Sequence, residues 1–267
     1  MMRLSRLASF GLSVLTALVF LLLYGPLLVP IASSFFEVAR GDVQWDAPSF
    51  SAYSALTRNE GIITAFLNTL LVGFSATVLS VILGVLFALH YRNGSSLGRD
   101  IMQFVIFLPF LMPPIMIGLS LLIFFREADI SRSLLTVIIG HTIFVLALAY
   151  RTIVVRLQSL SVSLIEASYD LGASSWQTFF YVVLPNLKSA LIGSAILCFA
   201  LSFDETMITI LVTGTDNTLP IRLWAMMRLG FTPDINALVA LILAFTTLMC
   251  VLAVRYLLPK EASDGAA

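Results

Sequence analysis

Two adjacent carboxylates, Asp204 and Glu205, stand inside an otherwise apolar run from Leu191 to Val212. That run is long enough to cross a bilayer, where an ionised carboxylate near the centre costs about 2.5–3.5 kcal/mol on insertion scales. Such a pair does not persist on a lipid-facing surface. Ser202, Glu205, Thr206, Thr209 and Thr213 recur at helical spacing and form one polar stripe. Asp204 lies about 100° around the same helix from Glu205. The chemistry this suits is attraction of a cation into a water-lined path. The alternative is an interhelical pair with Arg222 or Arg228, or a gate contact. Asn68 and Thr69 form the other polar pair at depth. Hydrogen bonding between helices is the preferred reading for both, with Asn68 kept as a candidate for the path.

Other chemistry is poorly served. His90 and His141 are far apart and have no cysteine nearby, so no metal-ligand cluster is expected. His141, inside an apolar run, reads as a helix–helix hydrogen bonder. Cys198 and Cys250 sit in apolar runs and read as small packing residues. No nucleophile–base pair suggests an intramembrane enzyme. No Gly-rich phosphate loop ending in Lys-Ser or Lys-Thr occurs, so the chain is not expected to bind ATP.

The elements that would position these residues are membrane-spanning helices. Of 267 residues, 59% are hydrophobic and 11% charged, with Lys+Arg equal to Asp+Glu. A soluble core cannot hide that much apolar surface, and the charge balance gives no pull toward nucleic acid. Six apolar stretches are predicted as spans: 7–31, 62–89, 101–125, 134–155, 191–212 and 235–258. The first is preceded by Arg3 and Arg6 but is too long for a signal-peptide core, so it is expected to be retained. Pro109, Pro113 and Pro114 interrupt the third span, as a kink or as a helix lining a pathway. Residues 213–232 are too polar to span and are expected to dip back toward the bilayer. With both termini in the cytoplasm, nine of the Lys and Arg side chains fall inside and six outside. The inner set runs from Arg3 through Arg92, Arg151, Arg156 and Lys188 to Lys260. This agrees with the positive-inside tendency.

Spans four and five are joined by the longest cytoplasmic loop, about residues 157–187, which reads as two short capped helices. Ser163-Leu164-Ile165-Glu166 has the form of a capping box, and Gly172 supplies a left-handed stop. Ser174-Ser175-Trp176-Gln177 is a second capping box. The helix that follows carries Trp176, Phe179, Phe180 and Val183, and Pro185 is expected to close it near the membrane.

The spacing Glu166-Ala167-Ser168, Gly172, Leu184-Pro185 resembles the Glu-Ala-Ala loop of bacterial ABC importer permeases. Ser168 stands where that pattern has a second Ala, and Val182 where it has Ile. The later series also resembles the spermidine/putrescine branch, especially its second, PotC-like permease subunit. That series is Ser202-Phe203-Asp204-Glu205, Val212-Thr213-Gly214, Leu219-Pro220, Arg228 with Gly230, and Thr232–Leu238.

The resemblance implies an all-α membrane protein, one permease domain over 1–267, with the type I importer fold and cytoplasmic coupling helices. It places the ATPase contact at Glu166, Ala167, Ser168, Asp170, Gly172, Ala173, Leu184 and Pro185. The substrate path would use Asp204, Glu205, Ser202, Thr209 and Asn68. It implies a homologous second permease, two copies of a cytoplasmic ATPase that bind the ATP and Mg, and a periplasmic substrate-binding protein. The chain itself would be no enzyme and would lie in the bacterial inner membrane, among lipid. Related branches carry opines, other amines or metal complexes. A secondary transporter would show an internal repeat and an ion-coupling site, and a channel a filter sequence or charged ring; neither is evident.

Overall fold

In the computed structural model, residues 6–39, 42–93, 96–229 and 233–257 are described. Arg3, Gly230, Thr232 and Lys260, singled out above, and the last residue of the sixth predicted span, 258, lie outside them. Among the described residues five helices are long and apolar enough to cross a membrane, and six when one bent pair counts as a single span. The described chain divides into two compact units, one of residues up to Ile63 with Leu223–Phe245, the other of Thr64–Arg222 with Thr246 onward.

In the first unit, α1 (Arg6–Ser33) contains Pro26 and Pro30. Every side chain from Ser9 to Tyr24 is exposed, and these include Phe10, Leu22 and Leu23. An apolar helix bare on all sides is what lipid, not water, solvates. A small antiparallel hairpin follows, β1 (Phe36–Ala39) with β2 (Asp42–Pro48), in the register Glu37 opposite Gln44 and Val38 opposite Val43. The all-α expectation misses this element. The alternation of Val43, Trp45 and Ala47 with Asp42, Gln44 and Asp46 is the period-2 signal that marks it. The Phe36 and Trp45 rings pack 5.1 Å apart. A short helix, α2 (Ser51–Arg58), buries Ala52 and Leu56, and its Tyr53 hydroxyl lies 2.7 Å from Ser34 Oγ.

The second unit holds most of α3 (Glu60–Asn93), then α4 (Ser96–Leu111), α5 (Pro114–Glu127) and α6 (Leu134–Gln158). Helices α4 and α5 meet at 106°. The kink expected at Pro109–Pro114 is therefore a full break. Pro113 sits at φ −55°, ψ 136°, extended geometry that ends one helix, and Pro114 starts the next with no amide to satisfy. Beyond the loop come α7 (Val162–Asp170), α8 (Ser175–Thr178), a π-helical turn (Phe179–Val183) and α9 (Leu184–Asp204). Then follows α10 (Met207–Val212); α11 (Leu219–Leu229) starts in this unit and continues in the first, and α12 (Pro233–Leu257) starts in the first and ends in this one.

The core of this unit centres on α6, which buries Val137, Val145, Tyr150 and Ile153 almost completely. Its neighbours come close where side chains are small. A Cβ on Gly84 of α3 would stand 3.1 Å from the Tyr150 amide nitrogen. Without a hydrophobic drive between helices in lipid, such close backbone packing is what holds spans together.

Candidate functional site

The cytoplasmic loop is built from local hydrogen bonds. Helix α7 is capped by Ser161, whose Oγ accepts from the Leu164 amide, with φ −63° and ψ 137°. The capping box expected at Ser163 and Glu166 is thus displaced. Both serines precede the apolar run, but Ser161 has the extended backbone a cap needs, and Ser163 already lies within the first turn. Ser163 Oγ instead contacts Ser161 Oγ at 3.1 Å.

At its other end α7 stops as the sequence predicts. Gly172 adopts φ +81°, its amide donates to the Tyr169 carbonyl, and the Ala173 amide donates to the Ser168 carbonyl at 3.0 Å. This is a complete Schellman stop. The second capping box is present: Ser174 Oγ accepts from the Gln177 amide, and Gln177 Oε1 accepts from the Ser174 amide at 2.8 Å.

Two contacts went unnoticed in the sequence. Ser168 Oγ lies 2.8 Å from Thr178 Oγ1 and ties α7 to α8. Arg156, near the end of α6, donates through Nε to the Asn186 carbonyl at the start of α9, so both ends of the loop are pinned to one side chain. Glu166, Ala167, Asp170 and Gly172 are exposed, Ala173 and Leu184 half-buried, and Ser168 buried. Trp176 is 72% and Tyr181 80% exposed, with Phe180 packed edge-on against Trp176. Pro185 does not close a helix: the chain runs on helically from Ser175 through the π-turn into α9, and the proline falls in the first turn after the π-turn.

The fifth span is not one helix. It breaks at Glu205, with φ −71° and ψ 118°, between α9 and α10. The single stripe predicted from Ser202 to Thr213 is therefore split. Ser202 and Thr209 both turn to His141: Nδ1 lies 2.7 Å from Ser202 Oγ and Nε2 2.7 Å from Thr209 Oγ1. Thr206 donates to the Asp204 carbonyl, and Thr213 to the Asp216 carbonyl. Glu205 Oε1 accepts from the Ile208 amide at 2.9 Å and so caps α10, while Asp204 is exposed.

Glu205 also packs around a narrow gap with Thr69, Val72, His141, Ser202, Phe203 and Thr218, with no room in it for a water molecule. Among the described residues neither carboxylate is ion-paired with Arg222, whose buried Nε has no partner. Arg228 lies instead over the Trp224 ring at 3.8 Å. Asn68 and Thr69 both bond to the stretch that leads from α10 to the start of α11. Asn68 Nδ2 donates to the Asn217 carbonyl, and Thr69 Oγ1 accepts from the Leu219 amide at 2.7 Å. Together they hold the segment between α10 and α11.

Several apolar spans, a proline-broken third span and a capped helix pair between the fourth and fifth define a membrane-embedded transport subunit. Residues 80–259 match the family described as binding-protein-dependent transport system inner membrane component, and the chain belongs to it. It is a multi-pass inner-membrane permease subunit, not an enzyme.

Among its relatives is the spermidine/putrescine transport system permease protein PotC of Haemophilus influenzae, 28% identical, covering 88% of this chain and 91% of that one. The putrescine transport system permease protein PotI of Escherichia coli K12 is 34% identical, over 86% and 84%. In fold, the chain is similar to one chain of a bacterial ABC transporter involved in import of the acidic polysaccharide alginate. There the TM-score is 0.74 at 18% identity, covering 97% of this chain and 100% of that one. A chain of the methionine ABC transporter MetNI gives 0.61 at 20% identity, over 78% and 97%. The fold is that of ABC importer permeases.

Proposed function

We propose that this permease subunit moves polyamines, spermidine or putrescine, inward across the bacterial inner membrane, driven by an ATPase that docks on the 157–187 loop. The observation that carries the substrate reading is the carboxylate pair at the break of span five, beside relatives named for spermidine and putrescine. A polyamine is a flexible polycation that sheds hydration on entering a narrow path. Carboxylates held between low-dielectric walls offset part of that loss.

The whole chain acts as one permease domain, with both termini cytoplasmic. Its partners are a second homologous permease, two ATPase copies that bind ATP and Mg, and a periplasmic binding protein. Glu166, Ala167, Ser168, Asp170, Gly172, Ala173, Leu184 and Pro185 form or brace the ATPase contact. Asp204, Glu205, Ser202, Thr209 and Asn68 form or brace the path.

The test is uptake of labelled spermidine and putrescine by vesicles holding the assembled complex. The double change Asp204→Asn with Glu205→Gln keeps side-chain size and removes charge. Polyamine uptake falls by an order of magnitude or more, while assembly is retained because the loop is untouched. Full uptake by the assembled double variant contradicts the cationic path, and no wild-type uptake of either polyamine contradicts the substrate.

A further inference from the structure

The His141 imidazole, 1% exposed on α6, joins two hydroxyls on opposite sides of the break in span five. Ser202 belongs to α9 and Thr209 to α10. The direction of these bonds follows from counting hydrogens. Thr209 Oγ1 lies 3.0 Å from the Glu205 carbonyl oxygen, which can only accept, so the Thr209 proton goes there. In the one arrangement of a neutral imidazole that makes all three contacts at once, Thr209 accepts from His141 Nε2–H. A neutral imidazole has one N–H, so Nδ1 accepts from the Ser202 hydroxyl. The result is a one-way chain from Ser202 through His141 and Thr209 to the backbone of Glu205, the residue at which the helix breaks.

The short helix at the far end of this chain is closely seated. A Cβ on Gly118 of α5 would stand 3.1 Å from Ile208 Cα, and one on Gly140 of α6 would stand 2.7 Å from Ile208 Cγ2. The Thr136 hydroxyl lies 2.7 Å from the Val212 carbonyl at the end of α10. Helix α10 is thus held by α5 and α6 at fixed depth. The angle between α9 and α10 is made at residues 204–206, which carry the two carboxylates.

We propose that His141 is a positioning residue for transport: by bridging Ser202 and Thr209 it latches that angle and sets where Asp204 and Glu205 stand. The latch rests on the chain being a permease subunit, and it holds whatever the cargo.

The test uses the complex with its partner subunits in nanodiscs. It reads ATP turnover with and without loaded binding protein, alongside assembly yield and thermal midpoint. His141→Leu lowers the stimulation ratio about fivefold or more, the scale of a lost buried hydrogen bond. Ser202→Ala and Thr209→Val, which remove one latch contact each, lower it too. Adding either to His141→Leu lowers it no further, because the three act as one unit. His141→Gln, which can still donate and accept, restores part of the ratio. Unchanged ratios in Ser202→Ala and Thr209→Val overturn the latch, as does a fall that only tracks lost yield or midpoint. A wild-type complex that responds to its binding protein but not to a polyamine strikes the substrate reading alone and leaves the latch standing.

Discussion

Ser168 and Thr178 face each other with their hydroxyls 2.8 Å apart, bracing α7 against α8 across the turn at Gly172. Ser168 Oγ also lies 2.9 Å from the Ile165 carbonyl, so its proton goes there and Thr178 donates to it. Ser168→Ala removes the acceptor and strands the buried Thr178 hydroxyl. We expect a loss of about 1–2 kcal/mol, read as a lowered thermal midpoint of the purified subunit. Thr178→Val in the same background recovers part of it, because no hydroxyl is then left unsatisfied.

Gly172 is the one described glycine with positive φ, at +81°. Space is not the constraint, since nothing lies within 4 Å of a Cβ built there. The cost of a side chain is backbone strain, about 1–2 kcal/mol for an L-residue and more for a β-branched one. Gly172→Asn is therefore tolerated, and Gly172→Val rotates α7 against α8. The check is ATPase retention on affinity-purified permease: near wild type for Asn and strongly reduced for Val.

Gly118 admits α10 by close packing, not by conformation. Its Cβ would meet Leu211 Cδ1 at 2.9 Å and the backbone at Met207 O at 3.3 Å. A flexible leucine tip can move, but a helix backbone cannot. Gly118→Ala should cost about 1–3 kcal/mol as overpacking, seen as faster unfolding in detergent, with Gly11→Ala on exposed α1 as the silent control.

The proposed topology, with both termini cytoplasmic, predicts that Ser49 and Ser174 face opposite sides of the membrane. Cysteines at Ser49 and Ser174, with Cys250 replaced by Ser, report this through an impermeant thiol reagent. Ser174→Cys labels only in inverted vesicles and Ser49→Cys only in intact cells. Labelling of both from one side contradicts the orientation with cytoplasmic termini.

Local chemistry was the most legible part of the chain. Gly172 and the Ser174–Gln177 box are decided within four residues, so their types announce their geometry. Ser161 and Ser163 were harder, because either serine satisfies the pattern and backbone dihedrals choose between them. The 106° break at Pro109–Pro114 was visible as an interruption but not as an angle.

The break at Glu205 carries no proline or glycine, and Glu205 and Thr206 are compatible with helix. It is set by tertiary contacts that lie far off in sequence: His141, and the close approach of Gly118 and Gly140. For the same reason the polar residues there were recognised as a group, while their partners were not.

The proposed contact between the 157–187 loop and the ATPase can be read directly. A photo-crosslinking amino acid in place of Trp176, which is 72% exposed beside the capped turn, tests this in the assembled complex. The same residue in place of Trp45, on the hairpin, serves as the comparison. An adduct with the ATPase from position 176 and none from position 45 is the predicted result. No adduct from 176, or equal adducts from both, would contradict it.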